Sequence, residues 1–242
     1  MYKKYDLGFI GDIYNSTEIN FTRFDSKTRF LKSLNQKSNN WIYRNSPITY
    51  KFNSLGHRNN KEINELDLNY ILFTGCSHTM GVALHKENIY TSVLSKILNI
   101  DHYNLGLGAS GWDTICYNLK TWITTIQSKP KLICINWSNF NRYLEDYDTY
   151  FIEQGPWSPT FDIDYVESEE FRYKQFESRS NIINLCNSYS IPYIEITCSN
   201  DSELPSEIIK LSKSIDLARD DSHFGNNTHY TWAMQILSMI KF

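Results

Sequence analysis

The chain has 242 residues, of which 41% are hydrophobic and 21% charged, and its formal net charge is -3. That length suffices for one α/β core with an extension, and the weakly acidic balance supplies no basic field for binding nucleic acid. No apolar run reaches the roughly 18 residues of a membrane span, and no signal-peptide apolar core follows the N-terminus, so the expected location is cytoplasmic or virion-associated.

Residues 1–65 are rich in Asn, Ser and Lys and only weakly periodic, and are expected to form an N-terminal extension to a domain spanning 66–242. Such an extension would suit an assembly arm or a homo-oligomer contact. Within it, residues 48–53 alternate as a strand does, and Ser54-Leu55-Gly56-His57-Arg58 turns the chain. From residue 69 short apolar runs alternate with helix-length amphipathic segments. Strands are expected at 70–75, 102–106, 131–137 and 191–197, and helices at 87–98, 112–127, 171–189 and 226–240. This alternation indicates βαβ units and a parallel sheet. Lys129-Pro130 ends the second of these helices before the next strand.

The stretch 138–170 breaks the alternation and mixes Tyr143, Tyr147, Tyr150, Phe151, Trp157, Phe161 and Tyr165 with many acids. An irregular insertion of this length serves as a lid or binding loop, or else as an oligomer-contacting decoration. The aromatic content of 15% packs cores and interfaces, and would also suit a sugar- or protein-binding face. The five cysteines are odd in number and form no CxxC pair, so they read as reduced, buried small hydrophobes.

Four constellations carry chemistry. Gly75-Cys76-Ser77-His78-Thr79-Met80-Gly81 follows an apolar strand, and a serine at such an exit sits in a tight turn with its hydroxyl exposed. Near the other end, Asp220 and His223 lie three apart in a polar loop before a helix. A carboxylate at that spacing can fix the imidazole tautomer and leave the second nitrogen for a serine. Asn104-Leu105-Gly106-Leu107-Gly108-Ala109-Ser110-Gly111 closes the second strand. It is literally Gly-x-Gly-x-x-Gly, yet no acid follows at the end of the next strand, so an oxyanion-binding backbone turn is favoured over a dinucleotide site. Asn139, after the third strand, could offer its side-chain amide to the same oxyanion; turn asparagines are also common. The six histidines form no His-x-x-x-His pair on an expected helix and no Cys-rich zinc pattern, so neither metal nor cofactor is expected.

Taken in order over about 69–240, these blocks resemble the SGNH (GDSL-type) hydrolase superfamily. Gly75, Ser77, Thr79 and Gly81 match its first block, Asn104 to Gly108 its second, Asn139 survives of its third, and Asp220 with His223 match Asp-x-x-His. Asn53 to Arg58 is also similar to a segment preceding the first block in some carbohydrate-acyl members.

The resemblance implies a three-layer α/β/α sandwich with a mostly parallel, flavodoxin-like sheet of about five strands. It implies ester hydrolysis or acyl transfer with Ser77 as nucleophile, His223 as base and Asp220 as its orienter. The oxyanion donors would be the Ser77 N–H, the N–H of Gly108 or Ala109, and the Asn139 amide. His78, Trp137 and Arg142 are expected along the cleft. Cys76 departs from the family by replacing an Asp, Trp137 and Phe140 alter the third block, and Asp221 sits where a glycine is common. The expected partner is an acylated carbohydrate, an O-acetyl ester foremost, or another small ester. The alternative is a non-catalytic structural or glycan-binding module, such as a virion component, that keeps the fold. The Asn/Ile/Lys-leaning composition suits a viral or AT-rich bacterial source.

Overall fold

The apolar runs that open each βα unit become neighbouring strands of one parallel sheet. The structure, a computed structural model, describes residues 1–148, 150–201 and 204–240. The N-terminal third contributes β1 (Tyr2–Lys4), β2 (Ile10–Gly11), β3 (Glu18–Ile19), α1 (Lys27–Gln36) and β4 (Tyr50–Lys51). The alternating region follows with β5 (Tyr70–Thr74), α2 (Ser77–Met80), α3 (Tyr90–Leu98), β6 (Asp101–Asn104), α4 (Trp112–Thr125) and β7 (Leu132–Trp137). Then come β8 (Tyr143–Asp146), β9 (Tyr150–Gln154), α5 (Ile163–Glu167), α6 (Glu169–Ser188), β10 (Tyr193–Thr197), β11 (Ile209–Lys210) and α7 (Asn226–Leu237).

The main sheet has the order β11-β10-β7-β5-β6, and every pairing is parallel. Numbered by its own five strands that order is 2-1-3-4-5 read from the other edge, the flavodoxin-like arrangement. β5 and β7 are buried at every position, because apolar clusters cover both faces. One cluster packs α4 and α6 residues such as Trp112, Trp122 and Phe171 on the sheet; the other packs Tyr90, Leu94, Trp232 and Ile236 of α3 and α7. Each aliphatic or aromatic side chain so buried contributes ~1.5–3 kcal/mol before entropy is counted. The expected helices and strands fall where the periodicity places them, with ends shifted by up to a few residues. The fifth strand, β11, is only two residues long and exposed, too short for periodicity to mark.

In such sheets ligands bind beyond the carboxyl ends of the strands where the order reverses. The reversal here is at β5, and Ser77 stands three residues past its end.

A second, antiparallel sheet has the order β2-β1-β9-β8. It joins the first residues of the chain to the 138–170 stretch, with Tyr2 opposite Phe151. Phe9 and Leu55 enter the cluster on the α4 side, and Tyr43, Ile48, Tyr50 and Phe52 enter the other.

Two buried arginines tie this N-terminal third to the loops after β5 and before α7. Arg58 donates to the carbonyls of Met80, Gly81 and Leu84, just beyond Ser77, and lies over the Tyr50 ring. Arg219 pairs with Asp25 at 2.6 Å, and both side chains are buried. Tyr50 donates to the same Asp25 oxygen and accepts from the Ala83 N–H, so the two clamps share one network.

Candidate active site

The strand-to-helix turn after β5 is shaped by Gly75. It adopts φ +154, and a Cβ there would lie 2.2 Å from Thr79 Oγ1 and 2.9 Å from Asn136. Only glycine lets the turn close so tightly against β7. Ser77 is the first residue of α2 and is half-buried. Its N–H has no backbone acceptor among the described residues, as expected for a first helical position.

The loop carrying Asp220 and His223 is closed by a bridge between Leu217 and Phe224. Asp221 takes φ 54 at its tip. Aspartate is among the side chains that tolerate this left-handed conformation. Asp220 is buried; its Oδ2 lies 2.7 Å from His223 Nδ1, and its Oδ1 accepts the backbone N–H groups of Ser222 and His223. Burial pushes the Asp220 carboxyl up, but its hydrogen bonds with His223 and that ring's charge outweigh burial and hold it below its ordinary value. A carboxylate on Nδ1 selects the tautomer that leaves Nε2 as an acceptor.

Ser77 and His223 line one cavity of about 650 Å³, together with Ala109, Arg142 and Glu153. No hydrogen bond joins Ser77 to His223 among the described residues. Ala109 takes φ 69, and its N–H has no backbone acceptor among the described residues. Arg142 props this turn by donating from Nη1 to the Ala109 and Ser110 carbonyls, each at 3.3 Å.

The other expected residues are distributed differently. Gly108 packs under Phe24, whose ring would lie 2.1 Å from a Cβ there, and its carbonyl accepts from the Tyr2 hydroxyl. Asn139 is exposed and lines a second cavity of about 750 Å³ with Cys76 and His78; Arg142 borders both cavities. His78 stacks on Phe224 at 4.3 Å and lies 5.6 Å from the His223 ring. Burial first, and His223 second, push its pKa down. Trp137 lies in the core rather than along the cleft: it is fully buried, packs on Trp112 and donates to Glu195 at 2.9 Å. The cause is its place on β7, which helices cover on both faces.

Cys76 and Ser77 border different cavities. Hydrogen bonding by the Cys198 thiol lowers the Cys76 pKa against the opposing effect of burial. All five cysteines are free and four are buried. Among the described residues no group of three or more His, Cys, Asp or Glu side chains is placed to hold a metal ion, and no helix is long and apolar enough to cross a membrane.

Sequence reasoning missed Arg23, Phe24 and Arg29, which the N-terminal third brings to the cavity wall, and Glu153 from the insertion, whose Trp157, in the stretch expected to form a lid or binding loop, lines the same cavity. These residues carry no local motif; only tertiary docking of β1 on β9 assembles them. Glu153 is buried and accepts from the Gly111 N–H at 2.5 Å and the Thr114 hydroxyl at 2.6 Å. Burial nonetheless pushes its carboxyl up to about 8. The folded chain therefore holds a proton that the unfolded chain releases near its ordinary value of 4.5. This contribution is fully present below that value and is lost as pH rises through about 8. Glu153→Gln keeps the shape and the Gly111 contact, with its amide NH2 donating to the Thr114 hydroxyl, and is expected to be more stable than wild type by roughly 3–5 kcal/mol above that pH, converging near pH 4–5. Urea denaturation across that range measures it; parallel pH curves for the two proteins would contradict it.

No protein-family model matches the chain, and no curated protein matches it. Among solved structures it is similar to an acetyl xylan esterase from the rumen bacterium Butyrivibrio proteoclasticus, with a TM-score of 0.50 and 13% identity over 71% of this chain. The chain spans 63% of that esterase's length. It is also similar to a member of the lipolytic protein G-D-S-L family from Veillonella parvula, with a TM-score of 0.44 and 15% identity, covering 71% of this chain and 98% of that one. A family two carbohydrate esterase from Cellvibrio japonicus aligns at a TM-score of 0.43 and 13% identity, covering 72% of this chain and 61% of that one. At these identities the likeness to the acetyl xylan esterase shows a shared fold, the α/β/α sandwich with its flavodoxin-like parallel sheet.

Proposed function

We propose that the protein is a serine esterase of the SGNH type that cleaves O-acyl esters, O-acetyl foremost, on a carbohydrate. The observation that carries this reading is the Asp220–His223 pair, 2.7 Å apart, whose imidazole lines the same cavity as Ser77. Ser77 Oγ attacks the ester carbonyl carbon and its proton passes to His223 Nε2. The resulting oxyanion is met by the N–H groups of Ser77 and Ala109. The C–O bond to the sugar breaks, the departing oxygen takes the proton from His223, and water resolves the acyl-enzyme by the same steps in reverse roles. Acyl transfer to a second hydroxyl would use the same intermediate. Similarity to an acetyl xylan esterase supports a carbohydrate ester as substrate class.

The missing Ser77–His223 hydrogen bond favours a second reading, a glycan-binding module that keeps the fold without turnover. Free enzymes often hold their catalytic hydrogen bonds long and tighten them on substrate, so the esterase reading keeps precedence. A fluorophosphonate probe separates the two. Labelling of folded protein with the adduct on Ser77 is expected; absence of labelling together with no hydrolysis of short acyl esters would overturn the esterase reading.

A further inference from the structure

Cys76 and Cys198 stand just past the carboxyl ends of β5 and β10, the strands on either side of β7. Both line the cavity of about 750 Å³. Cys198 is half-buried there, while Cys76 is buried. The Cys198 thiol donates a hydrogen bond to the Cys76 sulfur, so the two sulfurs are in contact although no disulfide joins them.

Neither thiol has a task in ester cleavage, yet their surroundings set them apart from the other cysteines. The hydrogen bond from Cys198 holds Cys76 below its ordinary pKa against burial, with the Arg142 charge and the His78 backbone N–H acting in the same direction. The same contact, followed by burial, pushes Cys198 up. One proton is therefore shared by the pair and sits on Cys198, and Cys76 carries the thiolate, the nucleophilic form. In Cys116, Cys134 and Cys186 burial pushes the thiol up and leaves it inert.

We propose that Cys76 and Cys198 are a reversible redox pair, a modification site at which a hydroperoxide forms a disulfide. The half-buried Cys198 sulfur attacks one peroxide oxygen and the O–O bond breaks. The departing oxygen takes the thiol proton and leaves as water, and Cys198 becomes a sulfenic acid. The Cys76 thiolate then attacks the Cys198 sulfur; the S–S bond forms, and the S–O bond breaks with release of hydroxide, which solvent protonates. The two sulfurs lose two electrons and the peroxide gains them. A dithiol reverses the step by exchange at Cys198, so Cys76 itself never has to meet a solute.

The disulfide acts on the neighbouring serine. Cys76 is the N-cap of α2: its carbonyl accepts the N–H groups of Thr79 and Met80, each at 3.0 Å, and Ser77 is the next residue. Closing the contact to a covalent bond draws Cys76 towards β10 and takes the Ser77 hydroxyl and N–H with it. A misplacement on the order of 1 Å costs up to about 10²-fold in rate. That the disulfide governs turnover rests on the esterase reading; that it forms does not.

The test has a chemical arm and a turnover arm. In the chemical arm, reduced full-length protein is treated with hydrogen peroxide, denatured, alkylated and digested without reductant, and its peptides are mapped by mass spectrometry. The expected product links Cys76 to Cys198, is lost on treatment with dithiothreitol, and leaves Cys116, Cys134 and Cys186 alkylated. In Cys76→Ser a dione that traps sulfenic acids should label Cys198, and in Cys198→Ser no linked peptide should form, both in protein whose circular dichroism is unchanged. In the turnover arm, oxidised wild type should cleave a short acetyl ester at least about tenfold more slowly than reduced protein and recover with dithiothreitol, while Cys198→Ser keeps its rate through the same treatment. Absence of the Cys76–Cys198 link from peroxide-treated wild type overturns the redox pair whatever the turnover. A linked protein as active as the reduced one overturns its hold on Ser77. A link that forms and reverses in protein with no esterase activity in either state upholds the pair and overturns the esterase reading.

Discussion

Ser77→Ala is expected to lower kcat on a short acetyl ester by at least about 10³-fold while leaving the thermal midpoint within a few degrees of wild type. The hydroxyl makes no hydrogen bond among the described residues, so its removal leaves no partner there unsatisfied. What disappears is the proposed nucleophile alone; the Ala109 N–H and the Asp220–His223 pair stay in place and could support only slow attack by water. Cys76 cannot substitute, because it is 3% exposed and borders the other cavity. Cys76→Ser is the matching control, since it keeps a small polar group there without touching the Ser77 side of the turn. Steady-state hydrolysis of an acetyl ester by the three proteins decides the point. Equal rates for wild type and Ser77→Ala would show that the serine is not a nucleophile and that the fold is used for binding.

The parts of the molecule legible in the sequence are those built by neighbours along the chain. β5 and β7 announce themselves as unbroken apolar runs because both faces are covered, and Ser77, Asp220 and His223 announce themselves because a strand-exit turn and an Asp-x-x-His loop are local devices. The second sheet could not be read, because its strands are two to five residues long and β1 pairs with β9 across nearly 150 residues. Trp137 was placed on the cleft because it stands in the third block of the resemblance, whereas its position at the end of β7, covered on both faces, buries it. Arg23, Phe24 and Arg29 lie in a stretch with no strong periodicity, and only docking onto the parallel sheet makes them part of the cavity wall.

That docking carries the second large effect. Asp25→Ala is expected to destabilise the protein by about 3–5 kcal/mol, because it strands the buried Arg219 guanidinium without its counter-charge. Asp25 Oδ2 accepts from Arg219 Nε at 2.9 Å, from Nη2 at 2.6 Å and from the Tyr50 hydroxyl at 2.5 Å. Arg219 is also stacked over the Phe21 ring at 4.1 Å, so once unpaired it cannot swing into water without giving up that packing. In a chain of this size the loss corresponds to a fall in Tm on the order of 10 °C. Asp25→Leu combined with Arg219→Met should recover most of the stability, because two apolar groups avoid the desolvation that the ion pair had to offset. Activity should not recover in parallel. Arg219 directly precedes Asp220, and its tether to Asp25 fixes the loop that aims His223 at the cavity. The double variant is therefore expected to melt near wild type yet show a reduced kcat with a smaller change in KM. A double variant as active as wild type would show that the Asp220–His223 loop is held by its own turn and the Leu217–Phe224 bridge, and that the N-terminal third stabilises the site without positioning it.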